Sequence, residues 1–296
     1  MQADVLTKVI LPLSLFLIMF GIGISLRVAD FKNIFNHPNA IVIGLIGQLI
    51  LLPIVAFVLA LVFKLPAELA VGLIIIALAP GGATSNMFTY LFEGDTSLSV
   101  SLTLLTSLIT PFTIPLLASL SMLYFMDSNT EFELPVVKTI VQLLVITVLP
   151  IALGMVALSR FPVAAKKIES VLKWFSIFFL FLIIALIVLK NSANMASFFA
   201  QAGAATLVLN LVVLMLGYQL ANLAKLNGKQ STAIGFEVGI QNGTLALVVA
   251  GTLIGNNTMM IPAVTYSIIM FFSGAFFGWL IIKKNNGKQT EAIIEN

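Results

Sequence analysis

Apolar residues run along this chain in long uninterrupted blocks, with neither the strict alternation of a half-buried strand nor the narrow stripe of a soluble amphipathic helix. Blocks of bilayer length fall at roughly 9–26, 39–63, 68–92, 96–126, 134–159, 170–190, 201–224, 230–255 and 258–282. A helix needs about 20 such residues to cross a hydrocarbon layer ~30 Å thick. Each block therefore predicts one span, and the pattern predicts an all-α polytopic membrane protein with nine transmembrane helices. The fourth block is long enough to tilt, and Pro111 and Pro115 are expected to kink it. The connecting segments are short, so residues 1–296 read as a single membrane domain with no extramembrane part to carry an enzyme.

Two blocks are interrupted. In the third, Ala79-Pro80-Gly81-Gly82-Ala83-Thr84-Ser85-Asn86 places a proline, two glycines and three polar side chains inside an apolar run. In the eighth, Glu237-Val238-Gly239-Ile240-Gln241-Asn242-Gly243-Thr244 combines glycines with two amides and a carboxylate. Backbone freed at membrane depth is tolerated only where it is buried in protein or faces a water-filled cavity. Spans three and eight differ by an odd number, so they are expected to run in opposite directions. Spans one to four (about 8–126) and six to nine (about 168–283) would then be inverted repeats joined by 134–159, with 284–296 a cytoplasmic tail. The halves share no visible sequence identity, so this symmetry is positional. Paired interruptions of this kind point to a transporter binding site.

Glu237 is the one carboxylate of twelve that falls deep inside a span. A charge at that depth costs at least ~2.5 kcal/mol on insertion scales, so something must compensate it. It reads either as half of an ion site or as a protonated carboxyl bonded to a neighbouring helix. Taken alone, Pro80-Gly81-Gly82 reads equally as a packing and kink device. The polar row along the fourth span, Ser97, Ser99, Ser101, Thr103, Thr106, Ser107 and Thr110, reads mostly as hydroxyls bonded to their own helix carbonyls. Ser99 and Thr103, four apart, share one face. Gln48, an isolated amide in the second span, is either helix glue or an ion ligand.

Composition narrows the class. Sixty per cent of residues are hydrophobic and nine per cent charged, against about 25% charged in a soluble domain. The net charge of +3 lies in short linkers rather than on one patch, which argues against nucleic acid. Absence of cysteine excludes disulfides, thiolate metal sites and cysteine nucleophiles. The first block lacks a basic leader and a small-residue cleavage site, so it reads as a retained span. Arg27, Lys32, Arg160, Lys166, Lys167, Lys173, Lys225, Lys229, Lys283, Lys284 and Lys288 fall on one side, against Lys8, Lys64, Lys138 and Lys190 on the other. The positive-inside rule then puts the N-terminus outside and the C-terminus in the cytoplasm, in a plasma (inner) membrane. His37, before Pro38, reads as solvated; Trp174 and Trp279 read as aromatic-belt residues; Asn256-Asn257-Thr258 fits a glycosylation sequon on the outer face.

A hard monovalent cation is best held by oxygens. Glu237, Asn86, Gln241, Gln48, Ser85, Ser99 and Thr103 offer them near the inferred midplane, and unwound carbonyls add more. One carboxylate neutralises one Na+. A second Na+ leaves excess positive charge that an anionic cargo offsets. No Lys or Arg inside the spans binds that anion, so half-helix N-termini near Thr84 and Asn242 are the positive elements that remain.

These residues resemble the bile acid:sodium symporter family, and within it the bacterial-type sodium-dependent organic anion transporters. The match lies in Ala79-Pro80-Gly81-Gly82 running into Ser85-Asn86, in Thr89-Tyr90-Leu91, Gly94-Asp95 and Leu98-Ser99 with Thr103 beyond, and equally in Glu237-Val238-Gly239-Ile240-Gln241-Asn242. Met19-Phe20-Gly21-Ile22-Gly23 and Asp30-Phe31 fit more weakly. The resemblance implies a nine-span version of a fold that often has ten. Spans one, five and six would form a panel, the others a core in which the broken helices cross. It implies one sodium site from Ser85, Asn86, Ser99, Thr103 and Glu237, and another from Gln48, Glu237 and Gln241 with the carbonyls of Val238 and Ile240. Cargo would sit between panel and core near Asn242, Ala83 and Thr84. Two departures touch that cavity. Ala83 stands where members often carry a polar side chain, and Met270-Phe271 stands where some carry His-Asn.

The expectation is a non-enzymatic, sodium-coupled importer of an organic anion, working by alternating access. Its partners would be two Na+, the anion and the bilayer, with no cofactor, nucleic acid or obligate protein partner. The anion would be bile acid-like or a smaller pantoate-like or keto acid. The rivals are a proton-coupled carrier using Glu237 and a non-transporting sensor or channel.

Overall fold

The computed structural model describes residues 6–27, 36–126, 134–190 and 192–294, and among these the regular structure is entirely helical. A widened π turn, Leu6–Ile10, leads into α1 (Leu11–Ser25). Then come α2 (Pro38–Val62), α3 (Ala67–Leu78), α4 (Ala83–Leu91), α5 (Thr96–Phe125) and α6 (Val136–Arg160). They are followed by α7 (Pro162–Lys190), α8 (Ser192–Leu223) and α9 (Gly228–Gly239). The short α10 (Gly243–Val248) continues as a π turn, Val249–Ile254, and α11 (Ile261–Ile294) closes the chain. Among the described residues eight helical segments are long and apolar enough to cross a membrane, and α3 with α4, bent by 62° at their break, make a ninth when the pair is taken as one span.

Stripes of exposed apolar side chains at helical spacing mark the faces that meet lipid: Val42, Ile46, Ile50, Ile54 and Val58 on α2, and Val137, Val141, Val145, Leu149 and Leu153 on α6. In water such rows would be a large unpaired apolar patch; in lipid they are the expected surface. Within the segment Gly228–Ile254, residues 230–251 are buried throughout.

Helix α1 packs against α6 and α7, and those three form one layer. Helix α8 packs against α9 and α11, α3 against α5 and α2, and α4 against α9. These build a second body around the two breaks, which matches the expected grouping of spans one, five and six against the rest.

Several boundaries differ from the sequence expectation. The basic stretch between the fifth and sixth spans is helix rather than loop: α6 ends at Arg160 and α7 begins at Pro162. Trp174 therefore lies well inside a helix, while Trp279 lies under the Lys283 ammonium, 5.2 Å from its ring centre, as an interfacial pair does. Helix α11 runs on to Ile294, so the segment read as a tail extends the last helix. Pro111 and Pro115 lie inside α5, where the apolar pattern placed them, and the helix continues past both. Asp30, Phe31 and Lys32 lie outside the described residues.

Three π turns sit just ahead of prolines: Leu6–Ile10 before Pro12, Gly47–Leu51 before Pro53, and Leu144–Val148 before Pro150. Proline removes one donor and crowds the carbonyl four residues back, and a widened turn absorbs that mismatch. One of them carries Gln48.

The Asn256-Asn257-Thr258 sequon is not a free acceptor. Asn256 is 3% exposed, its Nδ2 donates to Glu68 Oε1 at 2.7 Å, and its Oδ1 accepts from the backbone N–H of Thr258 and Met259. It ties the turn before α11 to the start of α3.

Candidate functional site

Both expected interruptions are present, and they meet. Helix α3 stops at Leu78 because Pro80 removes a backbone donor two residues on, and α4 restarts at Ala83 with Gly82 as its N-cap. Helix α9 stops at Gly239, Ile240 is extended, and Asn242 caps α10 by accepting from the Leu245 N–H at 3.0 Å. The Asn242 N–H donates to the Pro80 carbonyl at 2.9 Å, joining the breaks backbone to backbone. The second break, unlike the first, is not sharply bent.

Glu237 lies at this junction with 0% exposure. Ser85 and Ser99 hydroxyls each sit 2.9 Å from Oε2, and the Thr103 hydroxyl sits 2.5 Å from Oε1. Asn86 Oδ1 is 2.7 Å from Ser99 Oγ and 3.3 Å from Thr103 Oγ1. The carboxylate fits only because Gly81 has no side chain: a Cβ there would lie 2.1 Å from Oε1. All five residues of the first expected ion site are thus brought together by α4, α5 and α9.

Proton counting shows what this cluster lacks. Each hydroxyl has one proton, yet each touches two acceptors. Ser85 reaches Glu237 and the Gly82 carbonyl, while Ser99 and Thr103 each reach Glu237 and Asn86. With Glu237 ionised, three protons serve six contacts. The remaining contacts set oxygen lone pairs against one another in a buried place, a donor set suited to a hard cation and poorly suited to a thiophilic one.

The second group lies beside it. Gln48 Nε2 donates to Gln241 Oε1 at 2.7 Å and to the Ala79 carbonyl at 2.8 Å. Gln241 Nε2 donates to the Val238 carbonyl at 2.6 Å. Gln48, Gln241 and Val238 therefore converge, but the two amides satisfy each other. Offering their oxygens to an ion requires this pair to open. Ile240 is buried at the break, and its N–H donates to the Phe236 carbonyl.

Ala83, Thr84 and Asn242 line a small space of about 40 Å³ together with Ser176, Leu180 and Met270. It adjoins a larger cavity of about 310 Å³ between α1 and α7 on one side and α4 and α5 on the other. Ile18, Ala83 and Ser176 line both, and Asn86 reaches the larger one. Among the described residues no Lys or Arg lines either space, and Glu169 lines the larger one. Met270 lines the small space, whereas Phe271 stacks near Phe88 and Phe181. Apolar side chains thus occupy both positions.

Other residues of the site were not singled out by pattern. Thr89 donates to Ser99 Oγ at 3.2 Å; its place four residues after Ser85 was a usable signal. Asn210, Tyr266 and Ser273 gather behind the second break, and nothing in their own neighbourhoods marks them. Asp95, quoted above only as part of a motif, caps α5 through the Leu98 N–H and takes the Lys229 carbonyl on its own N–H. Ser101 and Thr106 bond the carbonyls four residues back, as the simpler reading of that row expects.

Comparison with known proteins bears on what crosses this junction. The family model described as "Sodium Bile acid symporter family" matches residues 12–198. A Bacillus subtilis protein named "Uncharacterized sodium-dependent transporter YocS" is 31% identical over 279 residues, covering 92% of this chain and 83% of that protein. The human "Hepatic sodium/bile acid cotransporter" is 29% identical over 243 residues, 81% of this chain and 68% of its own length. The mouse "P3 protein" is 34% identical over 233 residues, and the match spans only 47% of it. The family model and these relatives agree, and the chain belongs to the sodium bile acid symporter family of sodium-dependent transporters.

Proposed function

We propose that this protein is a sodium-driven importer of an organic anion that works by alternating access. The observation that carries the reading is the all-oxygen cluster around Glu237, with three hydroxyl protons for six contacts, at the point where the two breaks meet. One Na+ held by Ser85, Asn86, Ser99, Thr103 and Glu237 cancels the carboxylate charge. A second, held by Gln48, Gln241, Glu237 and the carbonyls of Val238 and Ile240, leaves the junction positive. The cargo carboxylate offsets that charge.

Asn242 is the side chain we assign to cargo. Its Oδ1 is committed to capping α10, so Nδ2 is the donor left for an anion. Ala83 and Thr84 complete the wall. Each bound ion favours the anion and the anion favours each ion, a reciprocal coupling that symport requires. The inverted-repeat relation of the two halves supplies the motion: one body rocks against the other around a fixed junction. The larger cavity opens where α1 ends and α5 and α7 begin, the end that also carries Arg27, Arg160 and Lys166. With the positive-inside orientation this is a cytoplasm-facing state in a plasma membrane. A cavity near the lower end of the ~300–1,000 Å³ range for ligand sites favours a small carboxylate, pantoate-like or keto acid, over a steroid.

Uptake into proteoliposomes under an inward Na+ gradient, with Na+ replaced by choline at fixed pH, tests the reading. Accumulation of labelled pantoate, pyruvate or taurocholate that disappears with choline supports it. Uptake that persists undiminished transfers the coupling to protons, and absence of uphill accumulation with all three points to a sensor or channel.

A further inference from the structure

Gly239 ends α9, and its carbonyl is one of those a broken helix leaves without a helical partner. It is held from behind the break. Asn210 of α8 donates to it from Nδ2 at 2.7 Å, and Tyr266 of α11 donates its hydroxyl at 2.8 Å. Both lone pairs of the carbonyl are thereby used. Asn210 is itself oriented by Ser273 of α11, whose hydroxyl donates to Asn210 Oδ1. All three side chains are buried, and none lines either cavity. The carbonyls just before Gly239 have the opposite partners: Glu237 and Val238 both accept from Gln241 Nε2, at 3.4 and 2.6 Å.

The hinge between those two directions is a glycine. Gly239 must be one, because a Cβ would lie 2.3 Å from the Leu214 side chain. A glycine has no side chain to fix its own backbone torsions, and each peptide plane turns as a rigid unit. The aim of the Val238 and Ile240 carbonyls on either side therefore depends on how the Gly239 carbonyl is held, together with the Gln241 contact to Val238 and the Ile240 N–H bond to Phe236. We propose that Asn210 and Tyr266 are positioning residues that orient these carbonyls toward the second sodium and thereby set its affinity and the cooperativity of sodium binding. This rests on the two-sodium reading above.

Thermal unfolding of the purified full-length protein, titrated with NaCl against choline chloride at constant ionic strength, is the test. Tyr266→Phe removes one hydroxyl and keeps the ring. Its sodium half-saturation should rise about three- to tenfold, the scale of one lost hydrogen bond, with the Hill coefficient falling toward one. Asn210→Ala should shift it further; if that variant does not fold, Tyr266→Phe alone decides. A lower unfolding temperature in choline with unchanged half-saturation and Hill coefficient would make the contact merely structural and overturn the proposal. Wild-type protein with no sodium-dependent shift would instead overturn the sodium reading beneath it.

Discussion

At the scale of single residues, the junction depends on what is missing from Gly81 as much as on Glu237. Gly81→Ala drives a methyl into Glu237 Oε1. Overpacking of this kind costs about 1–3 kcal/mol, and here the strain is relieved by displacing the carboxylate. The variant should therefore lose sodium-stimulated uptake while its amount in the membrane falls only moderately; sodium half-activation equal to wild type would show that the carboxylate does not sit there in the working protein. Ser99→Ala removes one oxygen from the same cluster and should raise sodium half-activation about tenfold, which corresponds to ~1.4 kcal/mol, with cargo KM at saturating sodium nearly unchanged. Glu237 itself was legible because a lone intramembrane acid is costly. Thr103 and Ser99 were legible because four-residue spacing puts both on one face. Asn210 and Tyr266 were not, since their value lies in a carbonyl exposed by a break in another helix.

At the scale of elements, the two breaks were readable as prolines, glycines and polar residues inside apolar runs. Their meeting was expected only from the family resemblance, since it depends on the Asn242 N–H reaching the Pro80 carbonyl and on Gln48 lying in a π turn ahead of Pro53. Sequence periodicity also misjudged the charged stretch after Arg160, where helix resumes at Pro162 because the exposed lysines need no apolar face. The cavity between the layers gives an element-level prediction. The chain has no cysteine, so Ser176→Cys supplies a unique thiol at a position lining both spaces. A membrane-impermeant thiol reagent should modify it from the cytoplasmic side of inverted vesicles, and sodium should change the rate severalfold. Equal labelling from both sides, or no response to sodium, would contradict alternating access through this cavity.

For the whole molecule, the number of spans follows from apolar length alone, and the all-helical fold follows from the need to satisfy backbone groups in lipid. Packing explains why the span with Glu237 is buried over residues 230–251 while α2 and α6 carry lipid-facing stripes: the polar segment is shielded by its neighbours. Membership of the sodium bile acid symporter family accords with that arrangement. The inverted repeat is our proposal from the matching positions of the breaks. The central claim is that Glu237 remains charged in the protein interior because sodium binds beside it. Its most direct test is calorimetric titration of the purified protein with NaCl at constant ionic strength, comparing wild type with Glu237→Gln. Saturable sodium binding in wild type, lost in a variant that still unfolds cooperatively, is the predicted result; equal binding by the two proteins would contradict the account.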